Sequence, residues 1–417
     1  MHTTIFFIAA SVAAIAQAQA PDLVTAISQQ PSLSTLYGLL GQASNTTAFL
    51  GSQKNVTLFA PNDEAFASIV QSGGIFSINQ ASIDAGLIAQ ILDYHLIRGV
   101  VRAEDITTIP TFVHTYLNYS GFVLDGEVSG SNVTGGQVVS VNLNRTGNAQ
   151  VVSGIKVPSG IVATNIEFDH GIIHIIDKLL LIPLSISETL VTGNFTALAG
   201  AATKTGLVPA LEDLSDVTIF CPNNDAFRAI ASGAANITND QLAKILKYHV
   251  VKGSVGYSTL LANSSLSTLR GEDVTITIGN DGAVFANDAR VINADILVAN
   301  GVIHVIDEVL NPTKPGFDAS ATALAAATTG VATFVPFTSG IQPETSIYSE
   351  LVPTTSRVAA GLVTASPSSK TTGLINGSSN ASASGSVAVQ TTNAGMVVQI
   401  PALAAAIFAA MAFALDL

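Results

Sequence analysis

The sequence predicts two tandem mixed α+β domains, framed at each end by a hydrophobic segment outside either fold. Three observations predict this. Three blocks of residues occur twice, in the same order, between residues 21 and 313, as a tandem duplication would leave them. Within each copy, short apolar strand-like runs alternate with runs of helical spacing. Of the 417 residues, 48% are hydrophobic and only 11% are charged; soluble chains carry about a quarter charged residues, so some of this apolarity belongs to segments outside a globular fold.

The chain begins MHTTIFFIAASVAAIAQAQA. An apolar core followed by small-x-small sites predicts a secretory signal peptide over 1–20, too short for a stable membrane span. The first block, TLFAPNDEAF at 57–66, returns as TIFCPNNDAF at 218–227. Each opens as an apolar strand that Pro61 or Pro222 ends. Asn62, and Asn223 or Asn224 in the second copy, are placed to cap a helix whose first turn holds carboxylates and whose buried face includes Phe66 or Phe227. The single cysteine, Cys221, replaces Ala60 on the strand and reads as an inert buried thiol. One cysteine excludes an intrachain disulfide and a cysteine-based zinc site.

The second block, ILDYHLIRG at 91–99, returns as ILKYHVVKG at 245–253. Ile88, Ile91, Leu92 and His95, and likewise Leu242, Ile245, Leu246 and His249, follow helical spacing. Tyr94-His95 and Tyr248-His249 therefore close a helix, where a histidine can meet unpaired carbonyls. Residues 274–278 alternate as a strand, with a hairpin turn at 279–282. The third block, GIIHIIDKLL at 171–180, returns as GVIHVIDEVL at 301–310. Residues 302–307 read as a strand buried on both faces apart from His304. His95 to His174 spans 79 positions and His249 to His304 spans 55, so the first copy holds an insertion, expected in the Gly/Ser/Asn-rich run near 126–147. The expected boundaries are 21–184 and 185–313.

About a third of residues 314–395 are Ser or Thr, a composition that builds no core and reads as a disordered stalk, O-glycosylated or plain. Residues 396–417 are apolar, with Asp416 their only charge and no basic flank after it. That favours a cleaved GPI-anchor signal over a tail-anchored helix. Asn393 and Ser384 are the competing ω sites. Ten Asn-x-Ser/Thr sequons mark N-glycosylation candidates: Asn45, Asn55, Asn118, Asn132, Asn144, Asn194, Asn236, Asn263, Asn376 and Asn380. Asn55 directly precedes a predicted strand, where it would be hidden.

Taken together, the three blocks resemble the fasciclin domain family. The first matches its first signature, Tyr-His its central motif, and the third its second signature. The resemblance covers about 290 residues, and the Ser/Thr/Ala-rich tail and low aromatic content are most similar to fungal surface members. It implies that each domain is a wedge-shaped β-sandwich with helices packed at one side. It also implies secretion, glycosylation, frequent GPI anchoring, and roles in cell adhesion or matrix and wall contact. The partners it implies are cell-surface, matrix or wall proteins or polysaccharides. The family places adhesion determinants at Tyr-His, matched by Tyr94, His95, Tyr248 and His249, and at an Asp-Ile pair matched by Asp295 and Ile296. The first copy has Asn165-Ile166 instead of Asp-Ile. Buried Tyr and His that hold a core together are the structural alternative.

Chemistry has less support. His174 and Asp177, like His304 and Asp307, stand three apart; on a strand such positions face opposite ways, which disfavours a shared metal. No Gly-x-Ser-x-Gly, Walker or dinucleotide motif occurs. No catalytic residue, metal or cofactor is assigned. The net charge of −13 divides as −6, −6 and −1 between the two domains and the remainder, which argues against nucleic acid. The leading expectation is a non-enzymatic adhesion protein. A structural wall glycoprotein without a specific receptor is the alternative, and a small-ligand binder or enzyme the remote one.

Overall fold

The computed structural model describes residues 20–71, 85–118, 122–124, 127–129, 132–230 and 237–311. The segments expected to be a signal, a stalk and an anchor signal lie outside the described residues, apart from Ala20. Domain 1 opens with three helices, α1 (Leu23–Ser28), α2 (Ser34–Gln42) and α3 (Ser44–Ser52). There follow β1 (Val56–Pro61), α4 (Asp63–Gln71), α5 (Ala85–His95), β2 (Leu96–Arg98) and β3 (Thr111–His114). A small hairpin, β4 (Phe122–Leu124) and β5 (Glu127–Ser129), precedes β6 (Val138–Leu143), β7 (Ala149–Val152), β8 (Pro158–Phe168) and β9 (Gly171–Ile176).

Seven of these strands form one sheet in the order β2-β1-β9-β8-β7-β6-β3. Only β1 and β9 run parallel. β8 belongs to both halves: its start pairs with β7 and its end with β9. Two register shifts around Ala163 bend it between the halves, as bulges do by adding twist. A bridge from Ile97 to Thr115 brings the two edges together. The sandwich is therefore one sheet curled on itself into a barrel-like form, which covers its edges.

Alternation along β1 and β9 builds two cores. Leu58, Ala60, Ile173 and Ile175 face the helices and pack with Leu23 and Ile27 of α1 and with Leu36, Leu40 and Leu92. Phe59 and Ile176 point into the barrel with Tyr94, Val139 and Val151. A strand covered on both faces has no solvent side, so its sequence is an unbroken apolar run. Burial of this kind contributes about 25 cal/mol per Å² of apolar surface.

Domain 2 repeats the plan with α6 (Ile186–Thr192), α7 (Thr196–Thr205), α8 (Val208–Glu212), β10 (Val217–Pro222), α9 (Asn224–Ala229) and α10 (Asn239–Tyr248). Then come β11 (Val250–Lys252), β12 (Ser264–Ser267), β13 (Asp273–Ile278), β14 (Val284–Ala286), β15 (Ala289–Val298) and β16 (Gly301–Ile306). The strand order is again equivalent, β11-β10-β16-β15-β14-β13-β12. Capping boxes start α6 at Ser185 with Glu188 and α10 at Thr238 with Gln241. Three details differ from the sequence expectations. His304 is as buried as the rest of its strand, because both ring nitrogens find partners there. Asn55 is exposed, since burial starts only at Val56. The insertion lies earlier than 126–147. Thr115 and Gln137 are bonded as Thr268 and Glu272 are, so residues 116–136 fill an interval that domain 2 spans with 269–271. Val138–Leu143, inside the expected insertion, is the core strand β6, and residues 144–148 form its hairpin turn.

The two domains meet at the strands that flank that insertion and at its end. Phe112 stacks on Tyr257, with centroids 4.3 Å apart and planes 14° apart. Val138, Leu297 and Val302 complete a small shared core. The Gln137 side-chain amide donates to the Val298 and Ala299 carbonyls, both at 3.1 Å. The Thr134 amide donates to Asp216 Oδ1 at 2.7 Å. On a second side Lys156 Nζ donates to the Ala294 carbonyl at 2.7 Å and to Asn293 Oδ1 at 3.0 Å.

Candidate functional site

The Tyr-His pair sits at the end of α5 and α10, and all four side chains are at most 2% exposed. Tyr94 crosses the barrel interior and its hydroxyl donates to the Val138 carbonyl at 3.0 Å. Tyr248 donates to the Asp273 carbonyl at 2.8 Å and accepts from Asn287 Nδ2 at 3.0 Å. His95 turns the other way. Its Nε2 accepts from the Leu180 amide at 3.0 Å, which leaves Nδ1 protonated to donate to the Ile91 carbonyl at 2.6 Å. His249 makes the same two bonds with Leu310 and Ile245, each at 2.8 Å. Each histidine thus satisfies a C-terminal helix carbonyl and pins the segment that leaves the last strand. Burial pushes both imidazoles down to about 4, so they are neutral near pH 7. A partner outside the fold does not reach these four side chains as they stand. The placement departs from an adhesion role by direct contact, because each polar atom is consumed inside.

The second-signature histidines are also internal. His174 Nε2 donates to the Val101 carbonyl at 2.7 Å, Nδ1 faces the Asn165 amide at 3.4 Å, and the ring stacks on Phe59. His304 does the same with Gly256, Asp295 and Phe220. Asp177 and Asp307 lie just past the strand ends, at the surface, and bind the amides of Gly160 at 2.7 Å and Arg290 at 2.8 Å. His and Asp therefore do not converge. Among the described residues no group of three or more His, Cys, Asp or Glu is placed to hold a metal ion.

The first signature is a cap. Asn62 and Asn223 take the amides of Ala65 at 2.8 Å and Ala226 at 2.7 Å, while their own amides bond the end of the neighbouring parallel strand. Pro61 and Pro222 close the strands, and Phe66 and Phe227 enter the helical cores. Asp63 binds the Thr35 amide at 2.7 Å at the start of α2. Asn224 binds the Ala197 amide at 3.0 Å at the start of α7, so an amide performs there the carboxylate's task. Cys221 lies in the helical core of domain 2, where burial pushes its thiol up.

The Asp-Ile pair lies on the bent strand β15. Ile296 is buried beneath the helices, again away from any outside partner. Asp295 is half-buried and takes the left-handed conformation, φ 62°, as does Asn165 at 55°. Asp and Asn tolerate that region better than other side-chain-bearing residues. Asp295 binds the amide of Ser258 at 2.7 Å and also its hydroxyl; Asn165 binds the Ala103 amide at 3.1 Å. Both residues fasten the loop that leads into the next edge strand.

Outward-facing features lie elsewhere. Asn45, Asn55, Asn118, Asn194 and Asn263 are exposed, and Asn132 and Asn144 are half-buried. Asn236, Asn376 and Asn380, with the ω candidates Asn393 and Ser384, lie outside the described residues. An open groove of about 470 Å³ runs over domain 1 between Asn55, Val100, Arg102, Glu167 and His170. Arg102 and Glu167 form an ion pair at 3.7 Å there. No helix among the described residues is long and apolar enough to cross a membrane. Sequence reasoning missed the domain junction: Tyr257 is a single aromatic that any core could hold, and only the pairing of Phe112 with it reveals a contact between domains.

Comparison of the sequence with known proteins gives the chain a family. The profile of the Fasciclin domain matches residues 31–183 and 193–312. A fasciclin-like arabinogalactan protein of Arthroderma benhamiae is 34% identical over 325 residues, which cover 77% of this chain and 75% of that protein. One from Phaeosphaeria nodorum is 30% identical over 292 residues, covering 70% and 88%. Human periostin is 28% identical over 266 residues, covering 61% of this chain and 28% of its own length. Among solved structures, a FAS1 domain pair from the insect cell adhesion molecule Fasciclin I aligns with a TM-score of 0.32 at 19% identity, covering 67% of this chain and 97% of that one. Each matched stretch holds one full set of the three repeated blocks, and together they span more than half of the chain: it belongs to the fasciclin domain family and carries that domain twice.

Proposed function

We propose that this chain is a secreted, glycosylated fasciclin-domain protein, held at the cell surface by a GPI anchor and stalk, that mediates adhesion or wall and matrix contact without enzymatic activity. One observation carries the reading. The polar atoms of the signature His, Tyr and capping Asn residues are spent on internal bonds, mostly to backbone groups. The motifs build the scaffold and leave recognition to the outer faces. The fungal relatives named fasciclin-like arabinogalactan proteins support a surface glycoprotein. Two domains locked together, presented many times on one surface, would turn weak single contacts into firm attachment. Partners are surface, matrix or wall proteins or polysaccharides.

The test is to delete residues 21–313 while keeping the signal, stalk and anchor segments. Attachment of cells to each other or to a substratum should fall; unchanged attachment would sink the reading. The exposed sequons favour a second reading, in which the sugars matter more than the protein faces. Removing the sequons should then impair the surface more than altering exposed protein residues does.

A further inference from the structure

The two domains display an equivalent face, and among the described residues only one copy of it is covered by protein. In domain 2 this face consists of Asp216, Val255, Tyr257, Leu297, Ala299 and Val302. Domain 1 covers it with Phe112, Thr134, Gln137 and Val138. Strand register gives the equivalent residues of domain 1. Val56 pairs with Gly171 as Val217 pairs with Gly301, and Glu167 pairs with Ile172 as Leu297 pairs with Val302. The loop residues between them follow from matched bonds, Val101 to His174 and Ala103 to Asn165 in domain 1 as Gly256 to His304 and Ser258 to Asp295 in domain 2, so Asp216, Tyr257, Leu297 and Ala299 correspond to Asn55, Arg102, Glu167 and Asp169. These residues line the open groove of about 470 Å³, a volume on the scale of a small-molecule site.

The substitutions have a direction. Val255 and Val302 keep apolar counterparts in Val100 and Ile172, but Tyr257, Leu297 and Ala299 are replaced by the charged Arg102, Glu167 and Asp169, so the face of domain 1 is less suited to a second domain. At the shared corner, Asn55-Val56-Thr57 is a sequon, whereas Asp216-Val217-Thr218 is not. Both corner residues are left-handed, with φ 54° and 52°. The aspartate binds Thr134 of domain 1. The asparagine is exposed at the groove wall. A sugar chain linked there begins inside a polar trough whose Arg102, Glu167, Asp169 and His170 side chains suit hydroxyl groups.

We propose that Asn55 carries an N-linked glycan whose first residues lie in this groove, so that one copy of the face is covered by protein and the other by sugar. The glycan then caps the domain pair and keeps a further domain or a second chain off that face. This rests on the reading of the chain as secreted and glycosylated, and the test separates the two. The full chain, purified from secreting eukaryotic cells, is mapped by glycopeptide mass spectrometry. Its His170 is then labelled with diethyl pyrocarbonate before and after enzymatic removal of N-glycans from the folded protein. His170 lines the groove with its side chain 29% exposed, so removal should raise its labelling severalfold while labelling of His114, which does not line the groove, stays constant. Asn55 unoccupied while Asn45 or Asn263 is occupied would overturn the inference and leave the general reading intact. An occupied Asn55 with unchanged His170 labelling would overturn the seating in the groove. A protein without glycan at any sequon would overturn both.

Discussion

Acid should unfold this protein through its buried histidines, and domain 2 gives the cleanest test. His249 is held neutral by burial and titrates at about 4 in the fold, against about 6.5 when unfolded. The unfolded chain therefore binds a proton that the fold refuses. Stability from this group is complete above the unfolded value, falls as the pH drops through 6.5, and stops falling below about 4. Each pK difference of one corresponds to 1.36 kcal/mol, so lowering the pH from about 7.5 to about 5 should cost domain 2 about 2 kcal/mol through His249 alone. Protonation also ends the bond that Nε2 accepts from Leu310. The readout is Cys221, the single thiol, buried in the same domain. Urea titrations pulsed with a pyridyl disulfide, which reacts in acid, report when that domain opens. His249→Gln offers an acceptor and a donor but no titration, and its urea midpoint should drop much less between the two pH values. Equal drops in both proteins, or no drop in the wild type, would refute the reasoning.

In domain 1 the same loss from His95 is opposed by Asp93, whose carboxyl burial pushes up to about 6 and whose Oδ1 has no partner among the described residues. It takes up a proton in the fold before it does so unfolded, so it adds stability as the pH falls through 6. Asp93→Asn removes this compensation, so the stability of domain 1, higher than the wild type's at neutral pH, should fall more steeply between about pH 7.5 and about pH 5, read as the change in proteolysis rate across that interval. Asn223→Ala removes the cap on α9 and should cost about 1 kcal/mol in thermal unfolding, with Asn62→Ala alike in domain 1. Tyr248→Phe strands the Asp273 carbonyl and Asn287 amide, and should cost about 1–3 kcal/mol without changing surface attachment. Tyr257→Ala should leave each domain folded but release the junction, seen as a longer molecule in small-angle scattering and new cleavage near residue 184.

Much of each domain is legible in the sequence, and what is not has physical causes. β1, β9, β10 and β16 are visible because burial on two faces leaves unbroken apolar runs ending at Pro61, Pro222, Asp177 and Asp307. The caps at Asn62 and Asn223 are visible because capping is local. β6 is hidden: Val138–Leu143 lies between Gly-rich turns, and its strand character comes from pairing with β3 and β7 rather than from its own neighbourhood. The direction in which Tyr94 and His95 point depends on where Val138 and Leu180 arrive, many residues away. The bend of β8 and β15 comes from two register shifts in each strand, the second holding a left-handed residue, Asn165 or Asp295, which a sequence shows only as a polar residue. The face shared by Asn55 and Asp216 emerges only when the two strand registers are aligned.

Recognition by the outer faces of the domain pair is tested most directly by binding of the pair to its surroundings. The domain pair, expressed without residues 396–417, is titrated onto cells or wall material that lack it. Binding should be saturable and should persist in Tyr94→Phe and Tyr248→Phe variants whose fold is intact. Binding no greater than that of an unrelated glycoprotein, or binding lost with those two hydroxyls while the fold survives, would contradict it.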